Sequence, residues 1–188
     1  MMRKKMGTTC FCYVEYPTAN GNWVCLGEVH LSKNYHLFAA LCGVRNGTWG
    51  MHVKPISPPR DLPRDVTPEV AKEADEMRGY SHSHSWLSVE ELLRFDWDQE
   101  VPYKTRINVA DPHVRKWFEQ EDRRTAPPKG AFSVTSGNEI TPQEVQWTQK
   151  LRVDVKDFLD GVLPYLKYLA LDYIVKAPNT RIVFWFKD

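Results

Sequence analysis

The sequence predicts an α+β protein: a small, mainly antiparallel sheet formed from an N-terminal hairpin and a C-terminal strand, packed with several helices. Three observations carry that expectation. Runs rich in β-branched and aromatic residues stand near both ends, at TTCFCYVEY (8–16), WVCLGEV (23–29) and RIVFWF (181–186). Helix-start signals recur between them, at Asn34, Thr67-Pro68, Ser88-x-x-Glu91, Asp111-Pro112 and Thr141-Pro142. The chain has 188 residues, 42% of them apolar and 26% charged, enough to bury a core of its own. One domain over 1–188 is therefore expected, with 111–175 as a candidate helical appendage.

The first two runs flank Asn20-Gly21-Asn22, a turn signal, and read as a hairpin. Asn34 is placed to cap a short helix in which Leu37, Phe38, Leu41 and Val44 form one apolar stripe, ended by Gly43 or Gly47. PISPPRDLPRDVTP (55–68) holds five prolines and reads as a stiff, extended connector. Thr67-Pro68 opens a charged helix, and Ser88 with Glu91 forms a capping box for the helix VEELLRF. A helix from Pro112 to Glu121 carries Val114, Trp117 and Phe118 on one side, and RRTAPPKG after it reads as a mobile loop. Thr141-Pro142 with Glu144 reads as another capping box, heading the longest helical segment. Leu151, Val155, Phe158, Leu159 and Val162 keep helical spacing there, and Gly161 and Pro164 interrupt it. RIVFWF is continuously apolar, as an internal strand is.

Composition limits the function classes. With 25 basic residues against 24 acidic, there is no basic surplus for polymeric nucleic acid. No run approaches the roughly 20 apolar residues of a membrane span. MMRKKM is followed by Gly7-Thr8-Thr9 rather than an apolar signal core, which points to the cytoplasm. Cys10, Cys12, Cys25 and Cys42 lack paired C-x-x-C spacing, so they read as reduced thiols rather than, with His30, a zinc site. No P-loop, dinucleotide fingerprint or G-x-S-x-G is present.

The segment GYSHSHSW (79–86) concentrates two imidazoles, three hydroxyls and two aromatic rings. Read as a loop, it can stack on a flat ring and hydrogen-bond to an anion. Arg45-Asn46 at a helix end and Arg60 in the stiff connector could face it, since a guanidinium fork suits phosphate and an amide suits a base edge. The competing reading is a metal hydrolase. His82, His84 and, twelve residues on, Asp96, with Glu28 upstream, resemble the JAMM metalloprotease pattern, in which two histidines and an aspartate hold zinc. Ser85 stands where that family has proline, and Leu93 where it has serine.

NYHLFAALCGVRN, PISPPRDLPRDV, HSHSWLSVEELL and the closing RIVFWF resemble, in the same order, a group of small proteins encoded by bacteriophages and prophages. That group's pattern uses His82, Ser83, Ser85 and Trp86 and leaves the position of His84 open. A metal ligand would not be optional. The resemblance implies a counter-defence role in the cytoplasm of a bacterial host. The expectation is then a binding protein rather than an enzyme, with Arg45, Asn46, Arg60, His82, Ser83, Ser85 and Trp86 around one pocket. Its ligand would be a phosphorylated nucleotide messenger, a cyclic oligonucleotide or an ADP-ribose type, sequestered without chemistry. Neither cofactor nor metal is called for, and a homo-oligomer is expected because such pockets are often shared between subunits. The alternative is a metal-dependent or nucleotide-degrading enzyme using His82, His84 and Asp96.

Overall fold

The computed structural model describes residues 7–109, 111–120, 123, 125–128, 131, 142–172 and 179–188, with only the backbone of Trp49, Leu171 and Asp172. The described chain divides into two compact units, residues 1–45, 54–96 and 155–188 in the first and 46–53 and 97–154 in the second. No helix among the described residues is long and apolar enough to cross a membrane.

The first unit is built on a four-stranded sheet in the order β2-β1-β6-β3, with every neighbouring pair antiparallel. The strands are β1 (Thr9–Pro17), β2 (Trp23–Glu28), β3 (Ser81–Ser88) and β6 (Arg181–Lys187). β1 and β2 form the expected hairpin, closed by a turn in which Gly21 takes φ 80°, a value open to glycine at no steric cost. β6 is internal, paired on one side with β1 and on the other with β3, and all its residues but Lys187 are buried.

Alternation along β6 divides the core between two faces. On one face α1 (Tyr35–Cys42) packs Phe38 edge-on against Phe186, ring centroids 5.1 Å apart. On the other, Val70 and Ala74 of α2 (Pro68–Glu76) close over Val183 and Trp185. The Asn34 side chain accepts from the main-chain N–H groups of His36 and Leu37, and Gly43 ends α1 in the left-handed region at φ 82°. Ser88 and Glu91 form both bonds of a capping box at the head of α3 (Val89–Arg94). Beyond it, π-turns at Phe158–Val162 and Tyr168–Asp172 flank α6 (Leu163–Lys167). The first π-turn contains Gly161, and Pro164 follows it within one continuous helical run, where its missing N–H forfeits one main-chain bond.

Arg181 is the one strongly buried cation of this unit among the described residues, 4% exposed. It bonds Glu15 at 2.8 Å and Asp65 at 2.7 Å, and its guanidinium lies 3.6 Å from the Trp23 ring centre. Glu15 in turn accepts from the N–H and hydroxyl of Thr67. Thr67 thus spends its hydroxyl on the sheet rather than on capping α2, and the proline-rich connector is tied down from within.

The second unit contains the antiparallel pair β4 (Glu100–Asn108) and β5 (Pro142–Lys150), with α4 (Pro112–Phe118) and α5 (Leu151–Asp154). Tyr103 and Trp147 stack across the pair, 4.8 Å between centroids. β5 corrects the expected capping box at Thr141-Pro142: residues 142–150 are a strand, and Thr141 lies outside the described residues. Val145, Trp147 and Gln149 are buried and alternate with exposed Glu144, Gln146 and Lys150, a period of two that outweighs the cap-like opening. α4 ends at Phe118, before the expected Glu121, and residues 124, 129 and 130 of RRTAPPKG lie outside the described residues.

Candidate functional site

The histidine-bearing segment is a strand, and a bulge in it decides where each side chain goes. Opposite β6, His82 pairs with Phe186 and Ser85 with Phe184, so Ser83 and His84 together face Trp185 alone. Ser83 takes φ 54° to insert the extra residue. Without it, residues 82, 84 and 86 would share a face. With it, His82 stacks on Phe186 on the α1 side, whereas His84 stacks on Trp185 and Trp86 packs beside it on the α2 side.

The expected pocket is therefore not one place. Arg45 sits on the α1 side, donating to Thr8 Oγ1 at 2.5 Å and to Asp188 Oδ1 at 2.7 Å. His82 completes that group, with Nδ1 3.0 Å from Ser83 Oγ and Nε2 3.5 Å from Asp188 Oδ1, the outer limit of a hydrogen bond. The Thr8 hydroxyl, then Arg45 and His82, hold the Asp188 carboxyl below its ordinary range. Arg60 runs along β3 instead: its fork grips Glu91 at 2.6 and 3.0 Å and lies 5.1 Å from the centre of the Trp86 ring. Buried Ser85 accepts from the Arg60 N–H. Asn46 lies in the second unit and clasps the main chain of Val53 through both ends of its amide. Both arginines expected to meet phosphate are thus neutralised by carboxylates of the chain itself.

The metal reading fails on the same geometry. His82 and His84 point to opposite faces of the sheet, so they cannot chelate one ion with Asp96. Among the described residues no three histidine, cysteine or carboxylate groups are placed to hold a metal. Cys12 lies in the core on the α1 side and Cys25 packs on the α2 side. Burial pushes their thiols up, and that of Cys42 to about 11.

What the bulge does build is a cleft of about 520 Å³ on the α2 side, between the end of α2 and β3. Leu62, Ala71 and Ala74 line it with Asp61, Asp75, Arg78, Ser81 and His84. Ser81 Oγ donates to the Met77 carbonyl at 3.1 Å and lies 3.2 Å from His84 Nε2. The Ser81 hydroxyl thus lies between the Met77 carbonyl and the His84 imidazole, whose donor and acceptor roles follow its tautomer. Burial lowers the His84 pKa; Asp61 opposes that shift, and His82 and Arg78 reinforce it. Asp61 is held at φ 62° on the rim, and its carboxylate has no hydrogen-bond or ion-pair partner among the described residues. Arg78 is paired with Asp75 at 2.8 Å, but both side chains are largely exposed, 83% for the arginine.

A second cleft, of about 570 Å³, lies in the second unit beside Tyr103 and Trp147. Several of its polar groups are already engaged: Tyr103 and Gln149 both donate to Asp154, Arg123 to the Phe118 carbonyl, and Lys150 pairs loosely with Asp98. Sequence reasoning counted His84 and Ser81 in the ligand-reading segment but left them out of the expected pocket, and it missed Asp61 and Arg78. Asp61 gave one signal, a charged residue in a proline-rich turn. No protein-family model matches the chain, and neither a curated protein nor a solved structure matches it.

Proposed function

We propose that the protein binds a small phosphorylated, base-containing ligand in the cleft between α2 and β3 and sequesters it without chemistry. One observation carries this reading: a carboxylate without a partner among the described residues, Asp61, and an exchangeable cation, Arg78, line a single concave space. A cleft of about 520 Å³ is within the range of small-ligand sites. Asp61 supplies a carboxylate acceptor and His84 an imidazole for the polar groups of a base. Arg78 gives up little by leaving Asp75 for a phosphate, because exposed ion pairs are worth about 0–1 kcal/mol. Two left-handed non-glycine residues, Asp61 and Ser83, shape this side, and strain of that kind gathers at binding sites. The resemblance to phage-encoded proteins adds the role: removal of a nucleotide messenger from a host antiviral system.

The experiment incubates the protein with a mixture of cyclic dinucleotides and ADP-ribose, removes free ligand, denatures the protein by heat and analyses what is released. Intact nucleotide, retained by the wild type and lost in Arg78→Ala, is the expected result. Release of a cleaved product would make the protein an enzyme. Retention unchanged in Arg78→Ala would place the site elsewhere.

A further inference from the structure

The geometry points to His84 as a proton-linked ligand residue of the α2–β3 cleft: it takes up a proton as an anionic group binds, so the cleft holds its ligand more tightly in acid. This rests on the reading of that cleft as a site for a phosphorylated ligand. His84 lines the cleft together with Arg78. Its ring is stacked on Trp185, 5.8 Å between centroids, and Nε2 lies 3.2 Å from the Ser81 hydroxyl. Nδ1 has no hydrogen-bond partner among the described residues. The ring is therefore held in place while one nitrogen stays available. On protonation both nitrogens carry hydrogen, so Nδ1 becomes a charged donor whichever tautomer the neutral ring had, and the Ser81 oxygen can accept from Nε2.

The surrounding charges decide the sign. Asp61 faces the cleft from the connector, and Asp75 and Arg78 face it from the end of α2. Lys187 of β6 stands opposite Ser81, and His82 lies on the same strand as His84 but on the other face of the sheet. Burial lowers the His84 pKa, with help from His82 and Arg78 and against the pull of Asp61. With no anion beside it, the imidazole is neutral at about pH 7. A phosphate bound at Arg78 offsets that cation and brings a negative charge of its own, and both changes favour the imidazolium. A group whose pKa rises on binding takes up a proton. Affinity then climbs as pH falls through the pKa of the complex and levels off below that of the free protein.

Calorimetric titration with cyclic di-AMP and with ADP-ribose tests this, because the phosphate groups of these probes do not themselves titrate between about pH 5 and pH 8. Binding is expected to tighten roughly tenfold from the upper to the lower end of that range, the worth of one charge-assisted hydrogen bond. At about pH 6.5, heats measured in two buffers of different ionisation enthalpy should show net proton uptake by the wild type. His84→Gln should abolish both the uptake and the tightening, whereas His82→Gln, on the opposite face, should retain them. An affinity independent of pH with no proton uptake, or a response that survives His84→Gln, overturns the assignment and leaves the cleft a ligand site. Failure of both probes to bind at millimolar concentration at either pH overturns the assignment and the underlying reading together.

Discussion

Ser83 holds φ at 54°, a conformation in which the Cβ of an L-residue crowds the following carbonyl, and its hydroxyl meets His82 at 3.0 Å. Two variants separate the backbone from the side chain. Ser83→Gly and Ser83→Ala both lose the hydroxyl, but only alanine keeps the crowding. The glycine variant should be the more stable of the two by about 1 kcal/mol in urea denaturation; the opposite order would mean the bulge is not strained. Arg181 is a second residue whose environment dictates its effect. Its partner Glu15 is fully buried, so Arg181→Met strands a carboxylate and should cost roughly 3–5 kcal/mol. Adding Glu15→Gln should recover a large part of that loss. No recovery in the double variant would show that the arginine acts through Asp65 and Trp23 rather than through Glu15.

At the scale of elements, α3 joins a capping box to an ion pair on one carboxylate. The Arg60 hydrogen bonds hold the Glu91 carboxyl below its ordinary range, helped by the Ser88 N–H and hydroxyl and opposed by burial. A depressed folded pKa means stability that is present above the unfolded value, about 4.3, and lost as pH falls through the folded one. Thermal melts between pH 6 and pH 3 should show that loss, and Arg60→Ala should flatten it; an unchanged slope would remove the pair from the acid response. Elements with their own local chemistry were legible in sequence: Asn34 and Ser88-x-x-Glu91 cap where they were expected to, and the hairpin closes at its Asn-Gly turn. β5 was not legible, because Thr141-Pro142-x-Glu144 imitates a cap while the deciding alternation of Val145, Trp147 and Gln149 needs β4 opposite it. The pocket was misread for a related reason. A bulge is a relation between two strands, and nothing in HSHSW alone tells that His82 and His84 part company.

At the scale of the whole molecule, long-range pairing dominates. β6 is bonded along both edges and covered on both faces, whereas β2 pairs on one edge only. Amide hydrogen exchange should therefore be slowest over residues 182–186 and clearly faster over 23–28; equal rates would contradict β6 as the centre of the first unit. The same arrangement has a consequence in time. Thr9 meets Lys187 and Glu15 meets Arg181, so the first strand made waits for a partner well over a hundred residues downstream. At 5–20 residues per second, a ribosome leaves Phe11 and Tyr13 uncovered for on the order of ten seconds. Newly synthesised chains are thus exposed to proteases and chaperones through an interval that the finished protein no longer betrays.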